Sequence, residues 1–288
     1  MIGGSKVKDK IGVINSLLEK LDTIIIGGAM AYSFLAARGV NIGSSLADEE
    51  NINLARELLA KAEAMGKSIV LPLDHKVVRA GTVDFKNFAL VEGNGLRNTE
   101  GVSIEDGYMG ADIGEKTAEM YGEKIRQAKT VLWNGPMGIF EVGELAEGTY
   151  KIAQAMAEAT EENEAVTIVG GGDSVSAANK SGVAGKMSHV STGGGASLEF
   201  LEKGRLPAVE SLDSVPMTNS MLEMRDTWNS IRNKKWVGFL ARIFKNPLTL
   251  RSVAVALHEG KHNFFTMTFA PKKFVDMHFD DAAKTDDS

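Results

Sequence analysis

The sequence predicts a doubly wound α/β fold with a mostly parallel sheet over residues 1–212, followed by a tail of different composition. Two observations carry the fold. Short apolar runs of strand length alternate with amphipathic stretches of helix length, joined by glycine-rich turns. Two of those turns are triple glycines: residues 165–169 (AVTIV) open onto Gly170-Gly171-Gly172-Asp173-Ser174, and 187–192 (MSHVST) onto Gly193-Gly194-Gly195-Ala196. Each stands where a buried strand ends and a helix begins, the point at which an open parallel sheet holds a phosphate-bearing ligand. Glycine lets backbone approach the ligand, and the helix N-terminus offers free N–H groups.

The elements follow in order. Gly3-Gly4, set directly before a helical pattern, reads as the end of a strand whose body is missing. Ile11, Ile14, Leu17, Leu18 and Leu21 recur at helical spacing. Residues 23–26 (TIII) are a buried strand ending at Gly27-Gly28, and 30–37 a short helix. Residues 48–65 form a longer amphipathic helix with Leu54, Leu58 and Leu59 on one side. Gly66 stops it, because glycine takes the left-handed cap without steric cost. Residues 68–72 are the next strand. The stretch 73–95 breaks the rhythm and reads as an antiparallel ribbon or long excursion. A helix is expected over 112–128, a strand over 130–133 ending at Asn134-Gly135-Pro136, and a helix over 144–160. With the two glycine turns, this order gives a Rossmann-like three-layer sandwich.

Composition bounds the function. The 288 residues are 43% hydrophobic and 24% charged, ordinary for a globular protein. The absence of cysteine excludes disulfides and thiolate metal sites and fits a cytoplasmic setting. There is no signal peptide, and no apolar run approaches the ~18 residues of a membrane span. A net charge of −6 gives no reason to expect specific nucleic-acid binding. The charge is uneven, however. Residues 228–273 hold nine Lys/Arg and one acid, Glu259, so a boundary is drawn at 212/213.

Four features bear on chemistry. Lys6 and Lys10 are four apart at a helix start, where they share a face and would aim at a ligand across the strand ends. The same spacing suits a solvated lysine pair. Asp173 follows three glycines at a helix N-cap, either as an ordinary capping residue or as a Mg2+–phosphate contact. Gly193, Gly194 and Gly195 have no side chain to react and would act through backbone N–H groups on phosphoryl oxygens. Glu141, just past a strand-end turn, is either a ribose ligand or a surface acid.

Taken together, GGSKVKDKI at 3–11, IIGGAM at 25–30, IGSSLADEE at 42–50, VLWNGPMGIFE at 131–141, IVGGGDS at 168–174 and SHVSTGGGASLEFLE at 188–202 resemble the nucleotide-domain motifs of phosphoglycerate kinase, in order. The resemblance covers 1–212. It implies reversible phosphoryl transfer between 1,3-bisphosphoglycerate/ADP and 3-phosphoglycerate/ATP, with Mg2+ carried on ATP or ADP. By the match, Lys6 steadies the transferring phosphoryl group and Lys10 grips the nucleotide phosphates. Gly3, Gly4, Gly27, Gly28 and Gly110 line the adenine slot, Asn134 lies near the phosphates, Glu141 binds ribose, and Asp173 is the Mg-nucleotide ligand. Gly193 to Gly195 receive the phosphoryl group. Ser5, Ile139, Gly171, Gly172 and Ser174 are nucleotide-binding positions by the same match.

Ser5, Ala29 and Ala111 depart from the residues frequent in the family, which would retune the base pocket. The family's N-terminal domain, which binds 3-phosphoglycerate through arginines and a histidine, is expected to be missing. The chain alone is therefore expected to bind Mg-nucleotide but to turn over 3-phosphoglycerate poorly or not at all. An alternative is a non-catalytic nucleotide-binding module whose tail engages a protein or membrane.

The tail, 213–288, matches nothing in the resemblance. Residues 236–244 (WVGFLARIF), flanked by Lys234, Lys235 and Lys245, suit either a basic amphipathic helix on a partner or anionic membrane, or a helix docked on the protein's own surface. His258-Glu259-Gly260-Lys261-His262 fits the H-E-x-x-H zinc pattern, although Gly260 weakens the helix that pattern needs.

Overall fold

The computed structural model describes residues 1–210. Residues 213–288, with the 236–244 segment and the His258/Glu259/His262 pattern, lie outside the described residues. The chain begins with a 3-10 turn at Lys8–Lys10, then runs α1 (Ile11–Leu18), β1 (Thr23–Ile25), α2 (Met30–Ala37), α3 (Glu49–Ala64) and β2 (Ser68–Val70). The antiparallel excursion follows: β3 (His75–Arg79), β4 (Val83–Asp84), β5 (Ala89–Leu90), β6 (Arg97–Asn98) and β7 (Tyr108–Ile113). The α/β rhythm then resumes with α4 (Glu115–Gln127), β8 (Thr130–Asn134), α5 (Glu147–Asn163), β9 (Val166–Gly170), α6 (Gly172–Lys180), β10 (His189–Ser191), α7 (Gly194–Lys203) and α8 (Pro207–Glu210).

Two parallel sheets, β1-β2 and β8-β9-β10, meet through one residue. Ile2 forms parallel bridges to Ile26 on one side and to Asn134 on the other. Its N–H donates to Ile25 O at 2.8 Å, and its own carbonyl accepts from the Gly27 N–H at 2.9 Å. The strands therefore lie side by side as β2, β1, Ile2, β8, β9, β10. Alternate side chains point to opposite faces. Ile24, Ile26 and Ile69 pack with Leu17 of α1, Phe34 of α2, Leu58 of α3 and Phe200 of α7. Ile25, Val131, Trp133 and Val169 pack with Tyr121 of α4, Ile152 and Met156 of α5 and Val175 of α6. Helices thus cover both faces, and the three-layer sandwich with a mostly parallel sheet is as expected. A smaller cluster of Val78, Val83, Ala111, Val142 and Leu145 sits under the antiparallel strands.

The excursion differs in detail from its sequence reading. The ribbon extends beyond 95, because β3 pairs antiparallel with both β6 and β7. Residues expected to open a helix at 112 end β7 instead, and α4 starts at Glu115. The cause is a distant cap. Asp74, only 3% exposed, accepts the first-turn N–H groups of Lys116 (3.1 Å) and Thr117 (2.8 Å). That fixes where the helix begins. Asp48 likewise caps α3 through the Asn51 N–H, and Gly66, at φ 64°, follows its end.

Candidate functional site

The carboxyl ends of the parallel strands converge on one line of glycine turns. They converge so closely that a side chain would not fit. A Cβ on Gly3 would come within 2.1 Å of Pro136 O, one on Gly28 within 2.5 Å of Gly4 N, and one on Gly27 within 2.3 Å of Met137 Sδ. Gly4, Gly28 and Gly135 also hold positive φ, at 110°, 65° and 94°. The Gly28 N–H donates to Met137 O at 3.0 Å, and the Ile139 N–H to Ala111 O at 2.8 Å. These bonds bring Gly3, Gly4, Gly27, Gly28, Ile139 and Gly110 around one end of the site. Gly110 is packed on the Tyr32 ring, where a Cβ would meet the hydroxyl at 2.0 Å, and its N–H donates to Ser45 Oγ at 2.9 Å. Glu141 stands half-buried at the end of the same turn.

At the other end, the triple-glycine turns touch. A Cβ on Gly194 would lie 2.4 Å from the Gly171 Cα, backbone against backbone, whereas Gly172 and Gly195 face open space. Asn134 is the hub. Its Nδ2 donates to Gly170 O at 2.8 Å, and its Oδ1 accepts from Lys10 Nζ at 2.5 Å. Ser174, fully buried, accepts the Gly135 N–H at 2.6 Å and so ties α6 to the β8 turn. Burial pushes the Lys10 ammonium down to about 8, while the Asp173 charge favours its charged form. The outcome is a partly desolvated cation on Asn134, whose Nδ2 would lie 3.1 Å from a Cβ on Gly171 and 3.6 Å from one on Gly194.

Like α1 and α2, and unlike α3 and α4, the two helices that follow the triple-glycine turns start without a side-chain cap. α6 and α7 begin on Gly171 and Gly193, and neither has a side-chain cap. Their first-turn N–H groups have no intrahelical acceptor, in contrast to α3 and α4, whose amides are taken by Asp48 and Asp74. Gly171, at φ 102°, is the N-cap of α6, so Asp173 is not. Asp173 lies in the first helical turn and is exposed, with its carboxylate beside the positive end of the helix. Among the described residues, no group of three or more His, Asp or Glu is set to hold a metal ion.

Lys6 departs from its sequence expectation. Helical structure starts only at Lys8, so Lys6 and Lys10 do not share a helix face. Lys6 is exposed and near Asp48, whose carboxyl is held low mainly by the Asn51 N–H and amide and only in small part by Lys6, while Lys10 is drawn in to Asn134. Ser5 is exposed beside it. Residues missed by the sequence reading include Met137, whose sulfur covers Gly27, and Thr149, whose Oγ1 accepts the Met137 N–H at 3.1 Å. Met137 sat within a quoted motif but carried no polar signal. Thr149 lies inside a helix, where spacing does not mark it.

The fold and this line of turns define an open parallel α/β protein, a class in which ligands bind at the carboxyl ends of the strands. A family model described as phosphoglycerate kinase matches residues 1–204. Among curated relatives, a phosphoglycerate kinase of Clostridium perfringens is 53% identical over 213 residues, covering 74% of this chain and 50% of the relative. One from Clostridium novyi is 51% identical over 212 residues, with the same coverage. Among solved structures, phosphoglycerate kinase from Coxiella burnetii superposes with a TM-score of 0.63 at 38% identity, covering 73% of this chain and 51% of that one. Phosphoglycerate kinase from Pyrococcus horikoshii superposes with a TM-score of 0.53 at 30% identity, covering 73% and 50%. The chain belongs to the phosphoglycerate kinase family, and it spans about half the length of the curated relatives it matches.

Proposed function

We propose that this chain binds Mg-ADP and Mg-ATP and supplies the nucleotide half of a phosphoglycerate kinase reaction. That reaction is reversible phosphoryl transfer between 1,3-bisphosphoglycerate/ADP and 3-phosphoglycerate/ATP. One observation carries the reading: Lys10 and Asn134 stand against two uncapped helix N-termini at the ends of adjacent parallel strands. A cation, an amide and free backbone N–H groups are the donors a polyphosphate needs. The base would lie against Gly27, Gly28 and Gly110, and the ribose against Glu141. Asp173 would meet the Mg2+, which neutralises phosphate charge and orients the transferring group.

Catalysis here is mostly positioning and charge stabilisation, because a loose phosphoryl-transfer transition state spreads charge over its oxygens. The first-turn N–H group of Gly195 and the Lys6 ammonium are suited to receive that charge, while the Gly194 N–H already donates to Thr192 O at 2.9 Å. Lys6 is exposed in this structure and would have to swing onto the phosphoryl group when both substrates are present. Transfer also needs the acceptor aligned with the nucleotide. The chain alone is therefore expected to show little or no turnover in a coupled assay with 3-phosphoglycerate and Mg-ATP. Addition of a separately produced acceptor domain of the family is expected to raise it, and family-level turnover by the chain alone would contradict this division of labour.

Binding is tested by calorimetry with Mg-ADP. The chain is expected to bind at a single site, and Lys10→Met to weaken that binding by about 10- to 100-fold by removing a charge-assisted contact. Unchanged affinity in the variant would remove Lys10 from the site.

A further inference from the structure

Asp112 is a carboxylate where the packing calls for an apolar side chain. It lies in the stretch of β7 buried from Gly110 to Ile113, and is itself 1% exposed. Oδ1 accepts the Ile113 N–H at 2.9 Å, and Oδ2 accepts the Gly148 N–H of the first turn of α5 at 2.6 Å. Two glycines make room for it. A Cβ on Gly138 would lie 2.3 Å from Oδ1, and one on Gly148 would lie 2.6 Å from it. Gly138 is in the turn that carries Ile139 and Glu141. The neighbouring bonds, Ile139 N–H to Ala111 O and Gly28 N–H to Met137 O, join that turn to β7 and to the Gly27-Gly28 turn.

We propose that Asp112 is a positioning residue for nucleotide binding: its ionised carboxylate ties the start of α5 to β7 through the Gly148 N–H, and α5 in turn holds the 135–141 turn, whose Met137 N–H donates to Thr149 Oγ1, so that Ile139 and Glu141 stay beside Gly110. This role rests on the nucleotide reading above. A carboxylate suits the task because both its oxygens accept, matching two N–H donors, whereas an amide brings one acceptor and two donors in need of partners.

The tie is sensitive to protonation. Burial pushes the Asp112 carboxyl up to about 7, against the Gly148 and Ile113 N–H groups and the Lys76 charge. The groups facing it are Lys76 on β3, Tyr32 on α2, and Glu147 and Lys151 on α5. Lys76 does not supply a closer counter-charge, because Glu147 holds its ammonium at 2.8 Å. A proton on either oxygen removes one of the two acceptors. With the proton on Oδ2 the bond that ties the start of α5 to β7 is lost, and with it the support that α5 gives the turn through Thr149.

The test compares wild type with Asp112→Asn, using Mg-ADP calorimetry from pH 5.5 to 8. Mg-ADP has its own ionisation, so only the difference between the two proteins is read. At pH 8 the variant is expected to bind about tenfold more weakly, the size of one lost hydrogen bond to a charged group. Toward pH 6 the two curves are expected to converge. Equal affinity at pH 8 with parallel curves would overturn the proposal. A second measurement needs no variant: the amide resonances of Gly148, Ile139 and Glu141 in the unliganded wild type are expected to titrate together near pH 7. Ile139 and Glu141 amides that stay fixed while Gly148 titrates would also overturn it. A wild type that binds no Mg-ADP at any pH would overturn the nucleotide reading instead, and this role with it.

Discussion

The Asn134 side chain, at the end of β8, holds a lysine and a glycine carbonyl at once. Its Oδ1 neutralises part of the desolvation cost of Lys10, whose ammonium is pushed down to about 8 mainly by burial. The sign of the consequence is fixed by linkage. The folded pKa lies below the usual lysine value, so the folded chain binds fewer protons between about pH 8 and 10.5, and stability from this group rises across that window. Nucleotide binding runs the other way, because phosphates need the charged ammonium. Affinity for Mg-ADP is expected to fall as pH climbs through about 8. Lys10→Met is expected to remove that limb, as read by calorimetry from pH 7 to 9.5. A wild-type profile flat above pH 8 would contradict the role given to Lys10. Together with Asp112, this gives an affinity maximum between about 7 and about 8. None of this was legible in spacing. Lys10 and Asn134 are separated by 124 residues; the family resemblance put each near the phosphates, and their hydrogen bond emerges only in the structure.

At the scale of the element, a short strand that ends in glycine and hands over to a helix builds the site again and again. Those strands were legible because their apolar runs are bounded by glycine, as at 23–26, 130–133 and 165–169. β7 was not, because Gly110 and Asp112 interrupt its pattern, and its partner β3 is remote in sequence. The start of α4 was misread for a similar reason: its cap, Asp74, belongs to another element. The glycine turns also divide by what surrounds them. Gly194→Ala drives a methyl against the Gly171 backbone, and is expected to cost about 1–3 kcal/mol as an overpacked contact. Gly195→Ala meets nothing within 4 Å, and is expected to change stability by no more than about 0.5 kcal/mol, in either direction. Urea denaturation midpoints of the two variants check this contrast, and equal losses would contradict the close packing of the two turns.

The whole molecule, over its described residues, is two apolar layers on either side of one platform, with all the candidate ligand groups at one rim. The layer order was legible because alternating Ile24, Ile25 and Ile26 must face opposite ways. The glycine turns of the rim were legible, but the packing behind its Gly27-Gly28 end was not, since Met137, Tyr32 and Asp112 act through packing. The central claim is that a nucleotide lies along this rim, from the Gly27-Gly28 turn to the starts of α6 and α7. Amide chemical-shift mapping of the chain with Mg-ADP tests it most directly. The account predicts shifts at Gly3, Gly28, Gly110, Gly171, Gly194 and Gly195, with Gly66, Gly93 and Gly185 unmoved. Absence of shifts at saturating Mg-ADP, or shifts confined to residues away from the strand ends, would contradict it.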